Sequence, residues 1–176
     1  MTPDTIALRR LSAAQAINAV EALTDVLIDC VQGGASVSFM WPLPREKALA
    51  FWRRVVEGVR RGERVLLAAE DTQGQIVGTV QLILDMPDNQ PHRADVAKML
   101  VHRRARRQGV GQALLQALDQ EARAEGRTLL VLDTVTGGDA ERLYARCGWQ
   151  RAGCVPGYAL MPDGMPCGTT FFYKTV

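Results

Sequence analysis

A strand, a basic glycine-containing loop and a long amphipathic helix follow one another along residues 93–125. RADVAKMLV (93–101) predicts the strand, and apolar side chains at three- and four-residue spacings predict the helix from 109 to 125. The first amides of a helix lack partners inside the helix and carry partial positive charge, so an accessible helix start can bind phosphate. Gly109 and Gly111 remove side chains from this helix start, and Arg106 and Arg107 add positive charge beside it. The pattern R-x-x-G-x-G is therefore chemically suited to a pyrophosphate.

Two known phosphate-binding patterns are excluded for this loop. No Lys-Ser/Thr pair follows the glycines, as a nucleotide P-loop would require, and the third glycine of the dinucleotide fingerprint is missing. An ordinary solvated basic turn remains an alternative. Nucleic-acid binding through Arg103–Arg107 is another, although no aromatic residue for base stacking lies between His102 and Tyr144 and the net charge is only +2.

The bulk composition bounds the class of protein. A length of 176 residues favours a single domain, 1–176, with an ordinary globular balance of 47% hydrophobic and 23% charged residues. No apolar run reaches the length of a membrane span, and MTPDTIALRRL does not have the pattern of a secretory signal, so we expect a cytoplasmic protein without membrane contact. The four cysteines are interpreted as buried free thiols, and two histidines with scattered cysteines predict no metal site.

The hydrophobic pattern predicts the order β α α β β β α β α β β, which is a mixed α/β domain. The helix after the first strand is capped by Ser12 and runs to about Val31, and the second covers about Arg45 to Arg61. The remaining predicted elements are strands at 5–11, 63–71, 75–84, 128–135, 149–155 and 169–176 and a short helix at 138–148, with a turn-rich segment at 156–168. The apolar connection 35–44 either packs under the core or forms a substrate wall.

The order of these elements and two motifs resemble the GCN5-related N-acetyltransferase (GNAT) family. In that family R/Q-x-x-G-x-G/A after a central strand binds the pyrophosphate of acetyl-CoA, and VHRRARRQGVGQALL stands at this place here. The second family motif, A-x-x-L-Y-x-x-x-G-F/W, corresponds to AERLYARCGW (140–149). The resemblance covers nearly the whole chain. It implies a central, mostly antiparallel mixed sheet of about seven strands, flanked by about four helices.

Further segments resemble the tabtoxin-resistance acetyltransferases, which inactivate a toxin by N-acetylation. These segments are GGASVSFM, RADVAKMLV, LLVLDT and PGYALMPDG. Two positions depart from the wider family: Gly137 stands where an asparagine is frequent, and Arg103 where a proline is frequent. The first departure removes a side-chain hydrogen bond to the cofactor.

The resemblance implies an acyltransferase with acetyl-CoA as co-substrate and no metal. The backbone of Leu100 and Val101 would face the pantetheine arm and the thioester. Seven residues would surround the pyrophosphate, namely Arg106, Arg107, Gln108, Gly109, Val110, Gly111 and Gln112. Tyr144 would be the general acid beside the thioester sulfur; the alternative is a core aromatic residue.

A carboxylate at the edge of a buried sheet is a candidate base for the amine proton. Asp133 ends the strand LLVLD, and Asp95 lies near the start of the strand before the loop. The alternatives are that Asp133 caps the following loop and that Asp95 pairs with Arg93. The sequence does not decide which acid acts.

The acceptor is predicted to be the amine of a small molecule or amino-acid-like compound, with a toxin or antibiotic among the candidates. It would bind between residues 35–42 and 157–167, against Phe39, Trp41 and Tyr158, with Asp163 as a charged group. An exposed terminal hairpin could also support a homodimer. A non-catalytic acyl-CoA-binding sensor on the same fold is the main alternative to an enzyme, ahead of a nucleic-acid-binding module.

Overall fold

The computed structural model describes residues 6–176; residues 1–5, which include the first residue of the predicted strand 5–11 and part of the segment compared with a secretory signal, lie outside the described residues. The elements follow the predicted order, with one additional 3₁₀ turn at Arg103–Ala105. The strands are β1 (Ala7–Arg10), β2 (Arg64–Glu70), β3 (Ile76–Ile83), β4 (Arg93–Val101), β5 (Leu129–Val135), β6 (Gln150–Leu160) and β7 (Pro166–Thr175). The helices are α1 (Ala13–Gln32), α2 (Arg45–Arg60), α3 (Val110–Ala124) and α4 (Asp139–Arg146).

The seven strands form one sheet in the order β1-β2-β3-β4-β5-β7-β6. All neighbours are antiparallel except β4 and β5, which are parallel. This confirms the predicted mixed, mostly antiparallel sheet with four helices. Pairing between β4 and β5 covers only Arg93–Asp95 opposite Leu129–Val131. Beyond Asp95 the two strands separate, and this opening positions the functional site.

Helices cover both faces of the sheet. One face packs beneath α3 and α4, where Leu114, Leu118 and Tyr144 belong to one buried cluster with Val80. The other face packs against α1 and α2, where Trp52 is fully buried. The predicted Ser12 cap is confirmed: its hydroxyl accepts from the Gln15 N–H, and the Gln15 side chain accepts from the Ser12 N–H. Among the described residues, no helix is long and apolar enough to cross a membrane.

The prediction of a turn-rich segment over 156–168 is wrong, because β6 continues to Leu160, β7 begins at Pro166 and only five residues separate them. Pro156 and Gly157 were interpreted as breakers. They lie within an edge strand, where an irregularity in register between Val155 and Ala159 accommodates them. The prediction of buried cysteines also needs correction: all four thiols are free, but only Cys30 is buried and Cys154 is exposed.

Candidate active site

A cleft of about 1090 Å³ opens where β4 and β5 separate. Its walls come from the connection after α1, the bulged half of β4, the loop before α3, the end of β5, helix α4 and the end of β6. This volume is at the upper end of the range for small-molecule sites. Strand edges that lack a partner leave backbone groups free to bind an extended ligand.

The loop before α3 supplies a run of free amides at one end of the cleft. Within residues 6–176, the N–H groups of residues 107–112 donate to no acceptor, and α3 has no side-chain cap. Gly109 has φ +81°, a left-handed conformation that favours glycine, and forms the N-cap of α3. At Gly111 an added Cβ would lie 2.9 Å from Leu143 Cδ2, so a larger residue here would require the Leu143 side chain on α4 to shift. The loop geometry fits a diphosphate, whose oxygens would accept from these amides.

The four arginines of the loop differ in their contacts. Arg103 donates to Asp29 from its backbone N–H at 2.8 Å and from Nε at 2.9 Å, and Arg104 donates to Asp71 at 2.7 Å. Arg106 folds back, so that its Nε donates to the Val101 carbonyl at 3.1 Å. Arg106 and Arg107 line the cleft, whereas Arg103 and Arg104 do not. Two of the four arginines are therefore paired with carboxylates of other elements, and two face the cleft.

Most of the predicted cofactor residues line the cleft. These are Leu100, Val101, Arg106, Arg107, Gly109, Val110, Gly111 and Gln112. Gln108 differs, because its side-chain amide donates to the Arg104 carbonyl at 3.1 Å and its side chain lies outside the cleft. Its backbone N–H belongs to the run of amides that donate to no acceptor among the described residues.

Tyr144 lies on α4 at the cleft, 5% exposed, with its ring against Trp149 and Phe172. No described residue forms a hydrogen bond to its hydroxyl. Desolvation raises the pKa of Tyr144 above its ordinary value, and the negative charge of Asp133 raises it further. The phenol therefore stays protonated at neutral pH and can donate a proton. The ring packs in the core, as the alternative interpretation held, and the residue also lines the cleft. Its role as the general acid stays a prediction.

The two candidate acids have different environments. Asp133 lines the cleft, is exposed, and forms no ion pair within residues 6–176. The partial desolvation expected for it is therefore not found, because the strand beside it on β4 has moved away. Asp95 is not part of the cleft wall, and its carboxylate pairs with Arg93, as the alternative interpretation held. The structure thus brings Asp133, and not Asp95, to the cleft with Tyr144.

The predicted acceptor wall is only partly assembled. Phe39 and Tyr158 line the cleft, and their rings pack edge-on against Phe51 and Phe171 respectively. Trp41 is 43% exposed and lies outside the cleft, and its backbone N–H donates to the Pro162 carbonyl. Asp163 lies in the β6–β7 turn, where its carboxylate accepts from the Met165 N–H. Neither residue is part of the cleft wall: Asp163 lies at the tip of the hairpin, and Trp41, in the connection between α1 and α2, is hydrogen-bonded to that tip.

Lys98 lines the cleft and was missed by the sequence analysis. A signal was present: strict alternation would put Lys98 on the same face as Ala94, Val96 and Leu100. A lysine at a buried position of that pattern indicates a bulge. In the structure Val96 packs under α3 while Leu100 packs under α1 and α2, so the strand changes face between them. Within residues 6–176, no group of three or more metal-ligating side chains occurs.

The sequence pattern of the acetyltransferase (GNAT) family matches residues 21–149, which is more than half of the chain. The chain belongs to this family of acyltransferases. A GNAT relative from Azospirillum brasilense, an uncharacterized N-acetyltransferase in the hisH–hisA intergenic region, is 32% identical over 113 residues, or 63% of this chain. The chain spans 65% of the length of that relative.

Solved GNAT structures share the fold. An N-acetyltransferase from Staphylococcus aureus superposes with a TM-score of 0.79 at 18% identity, covering 97% of this chain and 98% of its own. The acetyltransferase yncA from Salmonella typhimurium, solved with its cofactor acetyl-CoA, gives a TM-score of 0.75 at 19% identity and covers 97% and 94%. At these identities the likeness establishes the fold.

Proposed function

We propose that the protein transfers an acetyl group from acetyl-CoA directly to the amine of a small molecule or amino-acid-like compound. The observation that carries this proposal is the opening between β4 and β5, which has free amides from residues 107–112 at one end and Tyr144 with Asp133 along its wall. A diphosphate at the amides would direct the rest of the co-substrate along the free edge of β4. Bound acetyl-CoA would supply the thioester.

Each remaining step is assigned to a residue of this chain. Asp133 accepts a proton from the acceptor ammonium, directly or through water, which frees the amine lone pair. The cleft holds the amine close to the thioester carbon, and this proximity alone lowers the barrier. As the C–N bond forms and the C–S bond breaks, the Tyr144 hydroxyl donates its proton to the departing sulfur. The nitrogen, which still carries one proton too many, releases it through water to Tyr144, and the phenol is restored. The position of Tyr144 in the cleft wall supports this role. Burial raises its pKa, so the phenol keeps its proton until the sulfur develops negative charge.

The finer identity of the acceptor is part of the proposal. The resemblance to tabtoxin-resistance acetyltransferases adds β-lactam amino acids and antibiotics to the candidate amines, and acetylation of such a compound would give resistance. The free cysteines, with Cys154 exposed, support action in a reducing compartment such as the cytoplasm.

The test is thiol release from acetyl-CoA with a panel of amines, comparing the wild type with Tyr144→Phe and Asp133→Asn. We expect each variant to lower kcat by about 10²–10³-fold, within the usual range for general acid–base groups. Binding of acetyl-CoA, measured by titration calorimetry, should change by less than about threefold, since neither group contacts the diphosphate loop.

Matched controls are Tyr173→Phe, whose hydroxyl donates to Gln150 outside the cleft, and Asp88→Asn on an exposed loop. Both should keep wild-type kcat. Unchanged kcat in Tyr144→Phe would refute the acid assignment. Tight acetyl-CoA binding with no thiol release on any amine would refute the enzyme and favour the acyl-CoA sensor.

A further inference from the structure

Lys98 occupies an unusual backbone position in the central strand. Its φ is +51°, which side chains other than glycine rarely adopt, and it lies at the irregularity in register between β3 and β4. Three described residues other than glycine have positive φ, namely Ser38, Lys98 and Arg107, and all three line the cleft. Strained backbone of this kind persists when the surrounding fold holds it, and it concentrates at functional sites.

The Lys98 ammonium group is held in a definite place without a counter-ion. Nζ donates to the Ser38 hydroxyl at 3.0 Å and lies 5.7 Å from the centre of the Phe51 ring. No carboxylate within residues 6–176 lies within ion-pair distance of it. Desolvation lowers the pKa of Lys98, the negative charge of Asp133 opposes that shift, and the positive charge of Arg64 adds to it. A desolvated cation without an anionic partner gains when a ligand supplies one.

Backbone conformation does not explain a lysine here, because positive φ favours glycine. The Phe51 ring and the Ser38 hydroxyl hold the ammonium group in place, but neither neutralises its charge. The residue that is present combines the strained backbone with a charge that faces the acceptor half of the cleft. The charge is therefore the feature that needs a role.

The diphosphate of the co-substrate is an unsuitable anion for Lys98. The free amides of residues 107–112 follow the end of β4 at Val101, whereas Lys98 lies three residues earlier, about 10 Å along the strand. Its side chain turns toward Ser38 and Phe51, which belong to the connection after α1 and to α2. The anion must come from the acceptor.

We propose that Lys98 binds the carboxylate of the acceptor, so that the acceptor is an amino acid whose ammonium group lies at Asp133. This inference rests on the proposed function. Asp133 and Lys98 are the complementary pair: both line the cleft, they carry opposite charges, and neither has an ion-pair partner among the described residues. A zwitterion satisfies both charges at once, whereas a simple amine leaves the lysine unpaired.

The test compares free L-amino acids with their α-carboxamides and with the corresponding decarboxylated amines. For the wild type we expect kcat/KM to be about 10–100-fold higher for the amino acid, as a hydrogen bond between charged groups implies. Lys98→Met should raise KM for the amino acid by a similar factor, leave kcat within about threefold, and leave the carboxamide unaffected. Lys98→Arg should retain most of the preference because it retains the charge.

Lys47→Met, on the exposed face of α2, is the matched control and should behave as the wild type. Lys98→Gln is a second variant without the charge and should lose the preference for the amino acid as Lys98→Met does. Circular dichroism spectra that match the wild type would establish that this loss is not one of folding. Titration of the amino acid and its carboxamide into coenzyme A-saturated protein gives a binding measurement that does not depend on turnover.

Two results would overturn the inference. The first is a wild-type protein that treats carboxamide and amino acid alike, in turnover and in titration. The second is a loss of kcat at unchanged KM in both Lys98→Met and Lys98→Arg, which would make Lys98 a general base. A third result would separate the two proposals: the wild type binds the amino acid preferentially, Lys98→Met does not, and no acceptor gives thiol release. This would sustain Lys98 as the carboxylate site and refute the transferase.

Discussion

At the scale of single residues, Gly109 joins backbone conformation to ligand access. It starts α3 at φ +81° and no atom lies within 4 Å of an added Cβ, so Gly109→Ala creates strain and no clash. We expect a loss of about 1 kcal/mol in the free energy of unfolding. We also expect acetyl-CoA to bind about tenfold more weakly, because relief of the strain turns the neighbouring amides away from the diphosphate. Chemical denaturation and titration calorimetry measure the two effects.

Gly74 offers a matched control for this change. It has φ +73°, an added Cβ would again meet nothing within 4 Å, and it lies in the β2–β3 turn away from the cleft. Gly74→Ala should therefore cost the same stability and leave acetyl-CoA affinity unchanged. Equal affinity in the two variants would mean that the amides at Gly109 do not hold the co-substrate.

Residue by residue, the sequence predicted what local chemistry determines. The glycines and Arg106 and Arg107 line the cleft as expected, because the order of charge and glycine along a helix start is a local property. Lys98 was missed since its face depends on a bulge. Asp95 was interpreted as a candidate base from its place at a strand edge. Only the three-dimensional structure shows that its carboxylate lies beside Arg93 and away from the cleft.

At the scale of elements, Asp29 ties the last turn of α1 to the loop before α3. Its carboxylate accepts from the Arg103 backbone N–H and Nε, and His102 Nδ1 lies 3.5 Å away. Desolvation acts to raise the pKa of Asp29, but these hydrogen bonds and positive charges outweigh it, so the pKa is lowered. The contribution to stability is thus present above the ordinary aspartate value near 4 and is lost as pH falls below it.

We therefore expect Asp29→Asn to lower the free energy of unfolding by about 1–2 kcal/mol at pH 7. The difference from the wild type should shrink as pH falls from about 4 toward 2, since the wild-type carboxylate becomes protonated in that window. Denaturation at a series of pH values measures this convergence. A difference that stayed constant down to pH 2 would show that charge on Asp29 plays no part.

The elements themselves were predicted well where periodicity and caps are strong. The Ser12 cap and the apolar stripe of α1 are local signals, and the helix begins one residue after the cap. The final hairpin was predicted poorly because Pro156 and Gly157 usually end a strand. An edge strand tolerates them, and a sequence does not show which strand will be at an edge.

At the scale of the whole molecule, the cleft arises from the point where β4–β5 pairing stops. Both strands continue past that point, to Val101 and Val135. The hydrophobic patterns of β4 and β5 therefore do not predict where their pairing ends. The insertion of β7 between β5 and β6 then brings Tyr158 to the cleft wall and leaves β6 at the free edge of the sheet. These features depend on strand order and could not be derived from the elements alone.

The free edge of β6 bears on the homodimer anticipated from the sequence. The strand is eleven residues long and exposes Val155, Tyr158 and Leu160, and Met165 in the following turn is 63% exposed. An unpaired edge with apolar side chains favours pairing with another strand, and a second copy of the chain offers the same edge.

We expect Val155→Lys to raise the dimer dissociation constant at least about tenfold, because it sets a charge on that edge. Sedimentation equilibrium over a concentration series measures it. Ile17→Lys replaces a still more exposed apolar side chain on α1 and should leave the equilibrium unchanged. A wild type that stays monomeric, or equal weakening by both variants, would remove the edge as the interface.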